Sequence, residues 1–464
     1  MRCPVDYVLG AARMRILALV DGEHYPPVVR TALGNLPGTV VAAALLGGGE
    51  KLLTAVPDLG VPVVTGGDPE GALEAGLASV ECDLVYDLSD EPVIDARRRM
   101  RLAALTLAHG IPYAGPDFRF DPPPRPRLAT KPSVAIIGTG KRTGKTAVAA
   151  HLARLLREQG TPPVLVTMGR GGPPEPELVD PTTFDLTPRG LLALAQSGRH
   201  AASDHLEDAL VAGVTTIGTR RCGGGLAGSP GDDTFAAGVA LANQRPEPLL
   251  LFEGSGSAIP PVAADATICV VPADVDRELL AGYLGSYRVL LSDLVVVTMA
   301  ETSLADSGSI SSLERDVRRL ARGGSADPAS PPTFAPAIAV TVLRPFPLEP
   351  VSGRRVFYAT TAPASAVEKL ADHLEHEHGA EIVGTSHHLA NRSRLTADLE
   401  AADKADVLVV ELKAAAVDLA TRVSLERGME VVFCDNRVVS VGGDGPFEEL
   451  ALSTVQHAIE RFAS

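Results

Sequence analysis

The sequence predicts an α/β fold in three blocks, built on parallel sheets covered by helices. Three observations carry that prediction. Strand-length apolar runs alternate with helix-length stretches along the chain; a proline-rich stretch, Asp121-Pro122-Pro123-Pro124-Arg125-Pro126, closes the first block; and a glycine-rich loop joins an apolar strand to a helix early in the second. Apolar runs separated by helices mark sheets buried on both faces. At 464 residues the chain is too long for a single hydrophobic core, so two or three domains are expected.

In the first block, residues 1–125, strands are expected at Arg15 to Val20, Thr39 to Leu46, Val61 to Val64 and Asp83 to Leu88. Helices are expected at Gly71 to Ser79 and Asp95 to His109. The second block, residues 131–347, has expected strands at Ser133 to Ile137, Pro163 to Met168, Val214 to Ile217, Pro248 to Phe252, Thr267 to Val271 and Asp293 to Thr298. A Gly-, Ser- and Pro-rich loop from Arg322 to Pro332 interrupts it. The third block, residues 352–464, has expected strands at Arg355 to Ala359, Val407 to Glu411 and Glu430 to Cys434, and helices at Ser365 to His378 and Lys413 to Arg427. The outer two blocks read as smaller, Rossmann-like α/β domains.

Composition narrows the function. Every apolar run is of strand length, short of the roughly 20 residues a bilayer span needs, so no membrane partner is expected. Met1 to Met14 lacks the basic-then-apolar layout of a signal peptide and reads as a short leader, with Met14 an alternative start. Cys3, Cys82, Cys222, Cys269 and Cys434 are scattered without a CxxC pair, which argues against a disulfide framework or zinc site and for a reducing cytoplasm. A net charge of −15 argues against nucleic acid, which needs a basic field. It leaves room for a small polyanion held by a few arginines in a cleft.

The glycine-rich loop is Gly138-Thr139-Gly140-Lys141-Arg142-Thr143-Gly144-Lys145-Thr146, followed by a helix from Ala147 to Glu158. The usual phosphate-loop pattern is G-x4-G-K-[S/T]; here Thr139 stands at its first glycine position and Gly138 one residue earlier. Small residues let consecutive N–H groups curl around phosphate oxygens at a helix N-terminus, whose dipole favours the anion. Lys145 is then placed to reach the β- and γ-phosphates of ATP, and Thr146 to put its hydroxyl on Mg²⁺. All nine residues are expected to bind nucleotide, and the second block is expected to be a P-loop NTPase domain. The form of the loop resembles dethiobiotin synthetase and its ATP-dependent small-molecule relatives. A Glu-Gly-Ala-Gly element of those enzymes helps hold Mg²⁺, which implies that role for Glu253 in Phe252-Glu253-Gly254-Ser255-Gly256. A carboxylate capping the glycine turn is the competing reading.

Two glycine–arginine loops point to further phosphates. Met168-Gly169-Arg170-Gly171-Gly172-Pro173 follows one strand, and Gly218-Thr219-Arg220-Arg221-Cys222-Gly223 follows another. The planar guanidinium fork binds phosphate oxygens bidentately, and glycines admit a ligand close to the backbone. Salt bridges to acids such as Glu175 or Asp232 are the alternative. Asp204, His205, Glu207 and Asp208 lie on one helix, where an ion network on the helix face is an equal reading. In the first block, Asp21-Gly22-Glu23-His24 follows the first strand, at the strand end where ligands of parallel sheets bind.

Four phrases together resemble the cyclic 2,3-diphosphoglycerate synthetase family: the phosphate loop, Val20-Asp21-Gly22-Glu23-His24-Tyr25-Pro26-Pro27-Val28, the Met168–Pro173 loop, and Glu411-Leu412-Lys413-Ala414-Ala415-Ala416-Val417-Asp418. They fall in all three blocks. The resemblance implies a ligase that uses ATP and Mg²⁺ to close 2,3-diphosphoglycerate into an intramolecular pyrophosphate, releasing ADP and phosphate. It implies charge neutralisation by Lys145, Lys141, Arg170, Arg220 and Arg221, with Thr146 and Glu253 on the metal. Substrate contacts are then expected from Asp21, Gly22, Glu23, His24 and the same arginines, in a cytoplasmic homodimer. Two other readings stay open on the residues alone. One is a related P-loop kinase or ligase acting on another small phosphorylated acid. The other is a P-loop switch that binds protein partners, although such switches carry a lysine where Gly140 stands here.

Overall fold

The computed structural model describes residues 14–49, 56–301, 304–322, 335–402 and 404–464. The leader before Met14, Cys3 within it, and most of the loop expected at Arg322 to Pro332 lie outside the described residues. The chain divides into two units: Met1–Pro123 with Asp276–Leu291 and Asp316–Ala335, and Pro124–Val275 with Ser292–Arg315 and Pro336–Ser464.

The first unit holds β1 (Arg15–Val20), β2 (Thr39–Leu45), β3 (Val63–Thr65), β4 (Leu84–Asp87), β5 (Tyr113–Ala114) and β6 (Arg119–Phe120). They form one sheet in the order β3-β2-β1-β4-β5-β6, parallel except for the last pair. β1 is buried along almost its whole length, as its unbroken apolar run requires. Helices Pro69–Ser79 and Ala96–Ala108 start where Asp68 and Asp95 accept from the backbone N–H groups of Gly71 and Arg98. Those caps satisfy donors that the first helical turn leaves unpaired.

The second unit holds β7 (Ser133–Gly138), β8 (Pro163–Gly169), β9 (Glu177–Val179), β10 (Thr216–Cys222), β11 (Asp232–Asp233), β12 (Leu249–Glu253), β13 (Ala266–Pro272), β14 (Leu294–Thr298), β15 (Ala337–Pro347), β16 (Arg355–Ala359), β17 (Glu381–Ser386), β18 (Val407–Glu411) and β19 (Glu430–Gly443). All thirteen belong to one sheet, ordered β11-β10-β8-β12-β7-β13-β14-β15-β19-β18-β16-β17, with β9 beside β10. The strands of the third block therefore extend the sheet of the second. The join is the antiparallel pair β15–β19, whose register runs from Ala339 opposite Gly443 to Pro347 opposite Cys434.

Shared cores explain why the two blocks act as one body. Val134, Ile136, Val148 and Leu152 of the second block pack with Val438, Phe447, Ala451 and Val455 of the third. A second cluster joins Val179, Leu191 and Leu206 to Leu395, Leu408, Val410 and Phe433. The helix expected at Lys413 to Arg427 divides into a π-helical turn, Ala416–Thr421, and a short helix, Arg422–Glu426. The same cluster holds Ala416, Val417, Leu419 and Ala420, so that wide turn is packed into the core.

Candidate active site

β7 ends at Gly138, and the chain turns through Thr139 to Gly144 into helix Lys145–Glu158. A side chain on Gly138 would lie 2.9 Å from both Lys145 Cδ and Thr143 Oγ1, so glycine leaves the room that the lysine stem occupies. Gly144, with φ +86°, takes the left-handed backbone that ends the turn. Lys145 is buried and donates from Nζ to the Gly140 carbonyl at 2.7 Å and the Thr143 hydroxyl at 3.3 Å. Burial pushes its ammonium down to about 8, against the opposing fields of Glu253 and Asp204. The loop is tied to the next strands by Thr298 Oγ1, which donates to the Thr143 carbonyl at 2.7 Å.

Carboxylates gather beside this loop. Thr146 Oγ1 donates to Glu253 Oε1 at 2.8 Å, while the buried Glu253 Oε2, beside Asp208, has no well-formed hydrogen bond among the described residues. Burial, then the charge of Asp204, pushes the Glu253 carboxyl up to about 7. Asp208 is fully buried, and burial with the neighbouring Glu253 drives it well above the carboxylate range. Among the described residues, no group of three His, Cys, Asp or Glu side chains is arranged to hold a metal unaided. The donor set of Thr146 and Glu253 nevertheless fits Mg²⁺, which is usually held by one or two protein oxygens, substrate phosphates and water. Glu253 Oε2 is the oxygen such an ion would satisfy.

The three arginines part company. Arg170, at the end of β8, is exposed and lines a cavity of about 760 Å³ together with Lys141, Lys145, Thr146 and Glu253. Arg221 is buried and donates to the Gly223 carbonyl at 2.5 Å and the Ser255 carbonyl at 2.7 Å. It stands behind the cavity wall: a side chain on Gly256 would lie 2.8 Å from Arg170 Nη2 and 3.3 Å from Arg221 Nη2. The two guanidinium groups thus converge on the Ser255–Gly256 turn. Burial, then the charge of Arg170, holds Arg221 below its ordinary range. Arg220 is exposed and, like Arg221, absent from the cavity lining; as neighbours on a strand the two side chains leave opposite faces. The adjacent pair read from the sequence is therefore one buried support and one outward-facing arginine.

The remaining expected residues lie in the first unit. Asp21 is buried, and its carboxylate accepts from the backbone N–H groups of Glu23 and Asp90 at 2.9 and 2.7 Å, and lies 2.8 Å from His24 Nδ1. Gly22 donates to the Gly47 carbonyl at 2.8 Å, and a side chain there would strike Gly48. Asp21 and Gly22 thus build the loop, and His24 and Glu23 are its half-exposed side chains.

Sequence reasoning missed the cavity's other wall. Thr361, His387, Glu411, Lys413 and Asn436, all from the third block, line it. Lys413 Nζ lies 3.1 Å from Glu207 Oε1, joining the block to the helix Asp204–Ala212. Burial pushes Glu207 up to about 8 in spite of that lysine. Burial also works to lower the Lys413 ammonium, yet Glu207 and Glu411 together hold it above its ordinary range. The signal was present in the Glu411–Asp418 phrase, but nothing local to it shows that β18 ends at the same cavity as the phosphate loop.

The sequence matches three family models across this architecture: the N-terminal domain of cyclic 2,3-diphosphoglycerate synthetase over residues 15–121, its P-loop domain over 133–325 and its C-terminal domain over 347–437. The chain belongs to the cyclic 2,3-diphosphoglycerate synthetase family. A cyclic 2,3-diphosphoglycerate synthetase of Rubrobacter xylanophilus is 46% identical over 442 residues, covering 94% of this chain and 97% of that one. One of Thermococcus gammatolerans is 47% identical over 431 residues, covering 92% and 94%. One of Methanothermus fervidus is 40% identical over 463 residues, covering 97% and 98%. The cyclic 2,3-diphosphoglycerate synthetase likeness thus extends over both units, and neither the switch nor the other-substrate reading gains support from it.

Proposed function

We propose that this chain is an ATP-dependent ligase that closes 2,3-diphosphoglycerate into its cyclic pyrophosphate, with release of ADP and phosphate. The observation that carries the reading is the meeting, in one cavity, of the Lys145 phosphate loop, the Thr146–Glu253 pair and Arg170. ATP and a second polyanion then have separate cationic holds on either side of Glu253. In the reaction, an oxygen of one substrate phosphate takes the γ-phosphoryl group and ADP leaves. An oxygen of the other substrate phosphate then attacks the phosphorus that was activated, and inorganic phosphate departs as the ring closes. No side-chain nucleophile is needed. The protein's work is to bring anions together and offset their charge, which Lys145, Lys141, Arg170 and Lys413 do. Arg221 acts through the turn it holds, and Arg220 drops out of the binding set.

Mg²⁺ fits this site through Thr146 and Glu253, where it would offset charge on the nucleotide phosphates. Glu23 and His24 remain candidate substrate contacts, with Asp21 and Gly22 holding their loop in shape. A cytoplasmic location accords with the free thiols of Cys82, Cys222, Cys269 and Cys434. No helix among the described residues is long and apolar enough to cross a membrane. A homodimer belongs to the same reading, and sedimentation would establish it. The reading is tested by ATP turnover across a panel of phosphorylated three-carbon acids. Stimulation by 2,3-diphosphoglycerate above the monophosphates is expected; equal turnover with all of them would remove the substrate assignment.

A further inference from the structure

The phosphate loop holds only one end of a nucleotide, and the base needs a wall of its own. Sheet order sorts the cavity. On one side of β7 lie β12 and β8, which carry Glu253 and Arg170; on the other lie β13, β14, β15 and β19. The first side carries Glu253 and Arg170; the second is mixed, since Asp274 and Glu301 line it as well. The second presents Met299 just after β14, Leu343 on β15, Leu370 from the helix Ala364–His378, and Asn436 on β19.

These residues adjoin the loop. A side chain on Gly144 would lie 3.4 Å from Leu343 Cδ1, so Leu343 lies next to the loop at the start of its helix. Asn436 lies opposite Pro345 on the neighbouring strand. Asn436 is thus a diagonal neighbour of Leu343 across the β15–β19 pair, about 7–8 Å away. The helix above is fixed in place by Lys369, whose Nζ lies 2.8 Å from the buried Glu301 Oε2. Arg344 of β15 pairs with the same carboxylate.

Two details mark the place as a ligand site. Met299 has φ +57°, a left-handed backbone that a methionine adopts only where its surroundings impose it. The Asn436 side chain makes no hydrogen bond to another described residue, although it is half-buried in the cavity wall. An asparagine amide offers one acceptor and one donor side by side, the complement of the amino group and ring nitrogen of adenine.

We infer that the β14–β15–β19 side of the cavity is the nucleobase subsite, with Met299, Leu343 and Leu370 as apolar walls and Asn436 as the residue that selects adenine. The inference rests on the ATP reading above. Guanine presents a carbonyl where adenine presents its amino group. Asn436→Asp turns the amide donor into an acceptor, which suits guanine's ring N–H and amino group.

Calorimetry on the full chain, without substrate, separates the possibilities by using ATP, GTP and inorganic tripolyphosphate. Asn436→Ala should weaken ATP about tenfold and leave tripolyphosphate unchanged. Asn436→Asp should lower the ATP-over-GTP preference by about tenfold or more. If both variants bind ATP and GTP as the unmodified chain does, the base lies elsewhere and the subsite is wrong, while tripolyphosphate binding keeps the phosphate loop in place. If the unmodified chain binds neither ATP nor tripolyphosphate, the nucleotide reading fails and this inference fails with it. A thermal melt of each variant shows that the fold is intact.

Discussion

Removing the Arg170 side chain should separate substrate binding from nucleotide binding. Arg170 is exposed and makes no hydrogen bond or ion pair with another described residue, so Arg170→Ala should change stability by no more than about 0.5 kcal/mol. Its loss removes one charge-assisted contact to phosphate, which is worth on the order of 1.5–3 kcal/mol. At about 1.4 kcal/mol per factor of ten, that is roughly a ten- to hundredfold weaker Kd for 2,3-diphosphoglycerate. ATP affinity should stay within about twofold, since Lys145 and its loop are untouched. The neighbouring arginines supply the controls. Arg220→Ala should leave both affinities alone, because that side chain is absent from the cavity lining. Arg221→Ala takes its donor from the Gly223 carbonyl and leaves the Ser255 carbonyl with the Ala258 N–H alone, so it should lower the melting temperature as well as substrate affinity. Separate calorimetric titrations of ATP and 2,3-diphosphoglycerate, with a melt of each variant, read all of this. If Arg170→Ala loses ATP and keeps the substrate, or if Arg220→Ala matches it, the substrate site is misplaced.

Four further outcomes are expected. Lys145→Ala should abolish ATP turnover in a folded protein, because among the described residues the ammonium donates only to Gly140 and Thr143 of its own loop; normal turnover would remove the phosphate-loop assignment. Glu253→Gln should raise the Mg²⁺ concentration needed for half-maximal activity, and an unchanged Mg²⁺ titration would leave Glu253 a cap of the Thr146 hydroxyl. Asp435→Ala should cost about 3–5 kcal/mol in urea unfolding, since it strands the buried Arg154 of the phosphate-loop helix, 2.5 Å away; a loss under about 1 kcal/mol would contradict that. Glu177 is held down to about 2, first by His205 and then by Arg199. A depressed carboxyl stabilises the fold above its ordinary pKa of about 4.3 and loses that contribution as pH falls toward 2. Glu177→Gln should therefore flatten the stability profile between those values, and an unaltered acid limb would show that the pair does not contribute.

The fold was legible where one strand or helix carries its own signal. β1, β16 and β18 fall where their apolar runs begin and end, because a strand buried on both faces needs no partner information to be recognised. The long β15 and the outer half of β19 were not legible. Ala337–Pro347 contains Arg344 and two prolines, and the stretch after Cys434 is broken by Asp435, Asn436 and Arg437. Both are strands because they pair with each other over a long register, which is a property of two distant segments.

The site divides in the same way. The strand-to-helix turn before Lys145 and the position of Glu253 at the end of its strand were legible because each is set by a few neighbouring residues. Arg221 was read as a phosphate ligand, but its burial and two carbonyl partners are set by the glycine turns around it. Asp208 was read as equally suited to a helix-face ion network, yet it is fully buried beside Glu253, a placement that helix position alone does not reveal. Lys413 and Asn436 reach the cavity only because one sheet runs through both blocks.

The most direct test of the account is phosphorus NMR of the full chain with ATP, Mg²⁺ and 2,3-diphosphoglycerate. The two phosphomonoester signals of the substrate should give way to a pair of coupled pyrophosphate signals, with one ADP and one inorganic phosphate formed per ring closed. ATP hydrolysis that leaves both phosphomonoester signals in place, or transfer that stops at a linear triphosphorylated acid, would contradict it.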